Sequence, residues 1–334
     1  MYKSVSEGLL EAVKVLEKSS NIKDGLAQAA KILEKTVQST TTSTYAQREH
    51  LDTRLADITD RKTPFLDKVA KRKANGITHE WDMITALGSN DTATAECGTP
   101  PDNEATIVRY SAQIKTFASK VEVCDKAQWG ASDYFDLMDM HLMHGMRKII
   151  QDVEKKSFYG DATGSPNEFD GIYNIVSDYA SGNIVDATQH KVSTTYIDSA
   201  IQTVIDNGGL PDTLFISARD IRDLATTWSS VVTYNDPGAG MTFGYNIARY
   251  MSFAGPLNVI MDTFINTTNS VNTPYDDAFI LTMGEIAMAE AEPMYKLPVY
   301  RGLTLAETQT VVWNCVLELR IPQWQAIISN IGQV

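Results

Sequence analysis

Cysteine is scarce in this chain of 334 residues: Cys97, Cys124 and Cys315 stand far apart and never in C-x-x-C spacing. An odd, scattered set excludes a disulfide framework and a zinc site, and reads as reduced thiols of an intracellular product. No apolar run reaches the length that crosses a bilayer, and Lys14 and Glu17 interrupt the Leu- and Val-bearing N-terminal segment where a signal peptide would be apolar. A soluble protein with no membrane association is expected. The sequences G-x-S-x-G, H-E-x-x-H and G-x-G-x-x-G are all missing, which removes the usual anchors for a nucleophile elbow, a zincin or a dinucleotide fold. Aromatic side chains are not interleaved with basic ones, so a stacking platform for single-stranded nucleic acid is not expected.

Basic residues are also in deficit, 29 against 42 acidic, for a net charge of −13. The deficit is uneven. Residues 1–75 carry net +4, residues 76–160 net −5 and residues 161–334 net −12. Such an acidic body repels phosphates instead of displacing their counterions, which disfavours tight binding of nucleic acid; it suits a wall that encloses DNA and equally the plain surface of a soluble acidic protein, and charge alone does not choose. With 43% hydrophobic residues there is ample material for a core, and the length allows one or two packed bodies.

Along the chain, residues 4–38 carry two short amphipathic stripes, Val5-Leu9-Ala12-Val13-Leu16 and Leu26-Ala29-Ala30-Leu33-Val37, ahead of the Ser/Thr run 39–44. Helices this short need a surface to lie on, so 1–62 reads as an N-terminal arm. Pro64 behind Thr63 opens a short helix in 63–76. After the Asn75-Gly76 turn, Ile77, His79, Trp81 and Met83 alternate with Thr78, Glu80 and Asp82 as in a strand, and a second long strand is predicted over 105–124. Between them, 87–104 has almost no large apolar side chain and cannot bury a core of its own. The spacing predicts a projecting hairpin over 77–124 whose tip (Leu87, Asn90, Asp91, Glu96, Pro100, Pro101, Asp102 and Glu104) contacts another subunit.

The strongest helix signal spans 131–158, with Ser132 as cap and a stripe of Met138, Leu142, Met146, Ile149, Ile150 and Val153. Further on, Thr195–Asp198 resembles a capping box and Ser217–Asp220 caps a helix reaching Trp228. Strands are predicted at 214–216, 257–264 and 278–283. Near the end Val311, Trp313, Cys315, Leu317, Leu319 and Ile321 alternate against Val312, Asn314, Glu318 and Arg320, until Pro322 stops the run. The order is α+β, without a regular βαβ repeat.

Three clusters invite a chemical reading and carry little. His141 and His144 share a helix face but lack further ligands, Gly160–Gly164 lacks the Gly-Lys-Ser/Thr ending of a phosphate loop, and Asp276-Asp277 reads as a solvated turn. No catalytic, metal or cofactor site is expected.

The succession of arm, long hairpin, long helix and mixed body resembles the Hong Kong 97-type capsid fold of tailed phages. Residues 57–69 and 74–82 sharpen the likeness, with Thr63, Pro64, Phe65, Glu80 and Trp81 resembling a Thr-Pro-Phe and a Glu-Trp that mark one capsid family, and 305–309 and 318–326 resembling its closing strands. The resemblance, covering roughly 55–330, implies a major capsid protein, not an enzyme, in an icosahedral virion shell around double-stranded DNA. It implies an extended loop at 77–124, a spine helix with part of the peripheral domain at 125–189, an axial domain near 190–265 and return strands at 266–334. It also implies partners: other copies in pentamers and hexamers, a portal, and scaffolding or decoration proteins. Residues 1–40 have no counterpart in the pattern, and no lysine–asparagine cross-linking pair can be aligned. An encapsulin-like compartment is the alternative on the same fold, and a soluble α+β hydrolase the alternative from another class.

Overall fold

The structure is a computed structural model that describes Lys14 and residues 59–332, apart from 89, 132–135, 228–248, 267, 273 and 303–304. The amphipathic stripes of 4–38, the Ser132 cap and Trp228 lie outside the described residues. Everything below belongs to the unit Asp57–Val334.

In chain order the elements are α1 (Pro64–Lys68), β1 (Ala70–Lys73), β2 (Thr78–Ala86), β3 (Thr106–Gln113), β4 (Lys115–Cys124), α2 (Asp125–Ala131), α3 (Leu137–Tyr159) and α4 (Ile172–Tyr179). There follow β5 (Ile184–Asp186), α5 (Thr194–Asp206), β6 (Thr213–Ile216), α6 (Ala218–Thr227), β7 (Arg249–Ser252), β8 (Gly255–Met261) and β9 (Asp276–Leu281). The chain closes with β10 (Ile286–Lys296), β11 (Tyr300–Arg301), β12 (Ala306–Leu319) and β13 (Ala326–Ile331).

Three sheets organise them. In a five-stranded sheet β1 runs parallel to β10, which pairs antiparallel with β12, while β4 and β11 also pair with β12. A six-stranded sheet has the order β5-β13-β9-β6-β8-β7, and β2 with β3 forms a two-stranded ribbon. One core packs α3 against the five-stranded sheet and gathers Phe65, Phe158, Phe215 and Phe279, with ring centroids 4.9 to 5.8 Å apart. The other places Ile197, Ala200, Ile201 and Val204 of α5 with Leu214, Ile216, Ile280 and Ile328 of the six-stranded sheet.

Helix α3 is the spine that periodicity anticipates, with Met138, Leu142, Ile149 and Val153 buried on one stripe. It starts later than expected. Asp136 is its cap and accepts from Asp139 N at 3.1 Å, and 125–131 forms a separate helix before it. The 23 residues span about 34 Å. Gly160 ends the helix because the chain returns against it: a Cβ there would stand 2.2 Å from Phe169 O. The amides of loop 160–164 are taken by carboxylates: Asp161 Oδ1 accepts from Thr163 N and Gly164 N, both at 2.9 Å, and Asp170 Oδ1 from Ala162 N at 2.8 Å, so the turn has no phosphate-loop character.

Four further expectations change. The strand predicted over 105–124 is two: β3 stays on the ribbon, whereas β4 leaves it after Ile114 and pairs with β12 from Cys315↔Lys115 to Ala306↔Cys124. The expected box at Thr195–Asp198 lies inside α5, whose cap is Ser193, and Asp198 accepts instead from Tyr250 Oη at 2.8 Å. Strand β12 is not one-sided, because Val312, Val316 and Glu318 are buried along with Trp313, Cys315 and Leu317. Asp276 and Asp277 are no solvated turn: they begin the fully buried strand β9.

Candidate assembly interface

The ribbon is the part of the unit least supported by its own core. Strands β2 and β3 stay paired from Thr78↔Gln113 to Ala86↔Thr106, with one irregularity between Ile84 and Ala86. At the root, alternation points His79, Trp81 and Met83 towards the body and Glu80 and Asp82 outwards. The Trp81 and Tyr110 rings, cross-strand partners, stack at 6.3 Å, and Tyr110 meets Tyr179 of α4 edge-on at 5.3 Å. Below them lies a cleft of about 370 Å³ lined by Trp81, Tyr110, Lys115, Phe169, Tyr179 and Leu319, among others. Lys115 Nζ donates to Pro166 O at 2.8 Å on its rim. One buried carboxylate ties root to sheet: Glu318 receives His79 Nε2 at 3.0 Å, Arg72 at 3.5 Å and Arg320 Nε at 2.5 Å.

Farther out the ribbon loses its support. Ile84 and Ile107, both 62% exposed, and Leu87, 81% exposed, present apolar surface to solvent. Arg109 bridges Asp82 at 2.8 Å and Glu80 at 3.7 Å on the outward face. The tip is held by local bonds: Asn90 Nδ2 donates to Asp102 O, Asn90 N to Asn103 Oδ1, and Asp91 Oδ1 accepts from Ala93 N. Asn90, Asp91, Glu96, Pro100, Asp102 and Glu104 are exposed, Pro101 is half-buried, and none of the described residues 87–104 is buried.

The motif residues scatter by role. Pro64 occupies the first turn of α1 behind Thr63, whose side chain makes no cap bond, and Phe65 is wholly buried in the aromatic cluster. Glu80 and Trp81 sit back to back on β2, one facing Arg109 and the other the cleft. What holds α1 in place escaped the sequence reading: Glu154, wholly buried on α3, accepts from Phe65 N at 2.8 Å and Leu66 N at 2.9 Å. Burial, reinforced by the neighbouring Asp262 carboxyl, pushes Glu154 up to about 9, so at neutral pH the pair keeps a proton between them. The available signal was position: Glu154 lies four residues before Phe158 on the apolar stripe of α3.

The six-stranded sheet holds a second buried acid group, where Ser217 Oγ lies 2.8 Å from Asp220 Oδ2 and 2.9 Å from Asp276 Oδ2, with Arg219 at 2.7 Å from Asp276. Asp220 is raised to about 7 and Asp277 to about 6, both mainly by burial. These groups fasten the start of α6 to β9. His141 is exposed and His144 half-buried on α3, and among the described residues no three His, Cys, Asp or Glu side chains gather as metal ligands.

A projecting ribbon, a spine helix and two sheets are the parts of a shell subunit. The model of the SU10 major capsid protein family matches residues 37–332. The chain belongs to that family. It is a bacteriophage major capsid protein, and its α+β architecture is of the Hong Kong 97 type. Solved structures share the fold at low identity. A chain from Mycobacterium phage Adephagia superposes with a TM-score of 0.62 at 13% identity, covering 89% of this chain and 99% of that one. The capsid of a native GTA particle gives 0.63 at 12%, covering 86% and 96%. The SrpI encapsulin of Synechococcus elongatus gives 0.59 at 11%, covering 89% and 96%. No curated protein matches the chain in sequence.

Proposed function

We propose that this capsid protein builds its shell by laying the ribbon, with the tip residues Leu87, Asn90, Asp91, Glu96, Pro100, Pro101, Asp102 and Glu104, across a neighbouring copy. The observation that carries the proposal is the exposure of Ile84, Leu87 and Ile107 on a ribbon whose outer half packs on no core of its own. Large apolar side chains clustered in solvent mark contact surfaces. On this reading the spine helix and five-stranded sheet form the peripheral domain, and the six-stranded sheet with α5 and α6 forms the axial domain at the five- and sixfold axes. The return strands β9 to β13 serve both. The closed shell is assembled in the host cytoplasm, around a portal and with scaffolding or decoration proteins. It encloses double-stranded DNA without reading its sequence, which the −12 of residues 161–334 supports by repelling phosphates. The subunit itself has a structural, not a catalytic, task.

Likeness to an encapsulin supports a second reading, a compartment filled with protein. Electron microscopy of the purified chain, with nucleic-acid and protein assays of particles recovered from infected cells, separates the two. Closed shells holding DNA are expected. A chain that stays monomeric at high concentration rules out both readings, and shells packed with protein favour the second.

A further inference from the structure

Two stretches flanking β2 are opposite extremes of charge. Residues 61–73 hold Arg61, Lys62, Lys68, Lys71, Arg72 and Lys73 against Asp67 alone. Residues 87–104 hold Asp91, Glu96, Asp102 and Glu104 and no cation. The first stretch includes β1, the terminal strand of the five-stranded sheet, which pairs with β10 along one edge. Among the described residues no strand pairs with its other edge; such an edge invites a partner, and charge on it selects which one.

Within one copy the two stretches cannot meet. Strand β1 lies at the root of the ribbon, because Arg72 and His79 share Glu318. The tip lies at the other end of β2, nine residues and about 30 Å away. Charges so far apart are screened at physiological salt, where the Debye length is about 8 Å. The paired ribbon therefore acts as a spacer that keeps the acidic tip from its own basic strand and presents it to another molecule.

We infer that the acidic tip of one copy docks on the basic edge strand β1 of the next. The inference rests on the shell reading above and names the surface that receives the tip. Such a contact is heterologous, tip to edge, and repeats around a ring, as closed capsomers and shells require. Opposed charges set its orientation and speed more than its strength. The cations are not equally available. Lys71 Nζ sits over the Trp313 ring at 5.4 Å, Arg72 pairs with Glu318, and Arg61 approaches the Phe264 ring at 5.9 Å. Of the nearby carboxylates, Glu318 is engaged by Arg72, Arg320 and His79, and Glu290, opposite Lys73, by Trp313 Nε1 at 3.0 Å, which leaves the exposed Asp67 beside Lys68. Lys68 and Lys73, both exposed, are the positions through which an incoming carboxylate meets the strand.

The test is a charge swap in the full chain. Lys68→Glu with Lys73→Glu, and separately Asp102→Lys with Glu104→Lys, should each lower particle yield about tenfold while circular dichroism and unfolding midpoint stay unchanged. Combining the four substitutions should restore most of the yield. A second measurement uses Cys97, an exposed thiol on the tip. In a Cys124→Ser, Lys73→Cys background, a short bismaleimide should join assembled chains into a ladder on a denaturing gel. Assembly that ignores both reversals, a combined variant that fails to recover, or the absence of a ladder overturns this contact and leaves the shell reading standing. A parent chain that never assembles refutes both together.

Discussion

Between residues 87 and 104 four carboxylates stand in solvent, whereas Glu154, Asp220, Asp262, Asp276 and Asp277 in the body are each at most 2% exposed. The residue type is the same and the tasks are opposite. On the tip the carboxylates face solvent and no core depends on them. In the body burial raises Glu154, Asp220, Asp262 and Asp277, while Glu154 fastens α1 to α3 and Asp276, through Ser217 and Arg219, fastens β9 to the start of α6. The comparison teaches where this subunit keeps its stability and where it keeps its surface for neighbours. It also orders what mutation should do.

The largest loss is expected at the aromatic centre of the body. Phe158 is wholly buried among Phe65, Phe215 and Phe279, so Phe158→Ala should cost about 3–5 kcal/mol in denaturant unfolding. A cost under about 1 kcal/mol would mean the cluster is slack. Next comes the joint between the two regions. Removing Glu318 takes the shared acceptor from Arg72, Arg320 and His79, which water can partly replace at the exposed arginines, so Glu318→Ala should cost about 2 kcal/mol. If unfolding is unaffected, the ribbon root is not anchored there.

A pH-dependent effect is expected at Glu154. Its folded pKa, raised to about 9, exceeds the ordinary value of 4.5, so between those values the folded state binds the proton that the unfolded state releases. Its contribution is therefore most favourable below about pH 4.5 and is lost progressively as pH rises towards 9. Glu154→Gln keeps one of the two acceptors, for Phe65 N or Leu66 N, and removes the titration. Unfolding midpoints across that window should fall less steeply in the variant than in the parent, and equal slopes would place the proton elsewhere. The smallest effect on stability belongs to the tip. Deleting 89–103 and closing the ribbon with Asn-Gly should change unfolding by no more than about 0.5 kcal/mol while shells become few or fragile. Normal, equally heat-resistant particles would break the division of labour, and a deletion that fails to fold would put the tip in the subunit's own core.

How much was legible follows the same division. Local, periodic features could be read directly: the stripe of α3, the alternation of β2, Pro64 at the start of α1, the polar tip and the cap at Ser217. Each depends on neighbours within a few residues, where spacing maps onto one face of one element. Features that depend on a distant partner were misread. Apolar alternation ran on through β3 and β4 with no break to show that β4 would join β12, some 190 residues later in the chain. Glu318 reads as solvent-facing until Arg72, Arg320 and His79 surround it, and Asp276-Asp277 reads as a turn until a sheet encloses it.

The sequence by itself determined the class of this protein: an α+β capsid subunit with a core-less acidic tip, because composition, periodicity and the family motifs are all local properties. Only the tertiary structure decided which carboxyls are buried, that β4 belongs to the body instead of the ribbon, and that Glu154 seats the Thr-Pro-Phe helix. The reason is physical. The state of a charge or the partner of a strand is set by groups that arrive from far along the chain, and burial, unlike periodicity, exists only once they have arrived.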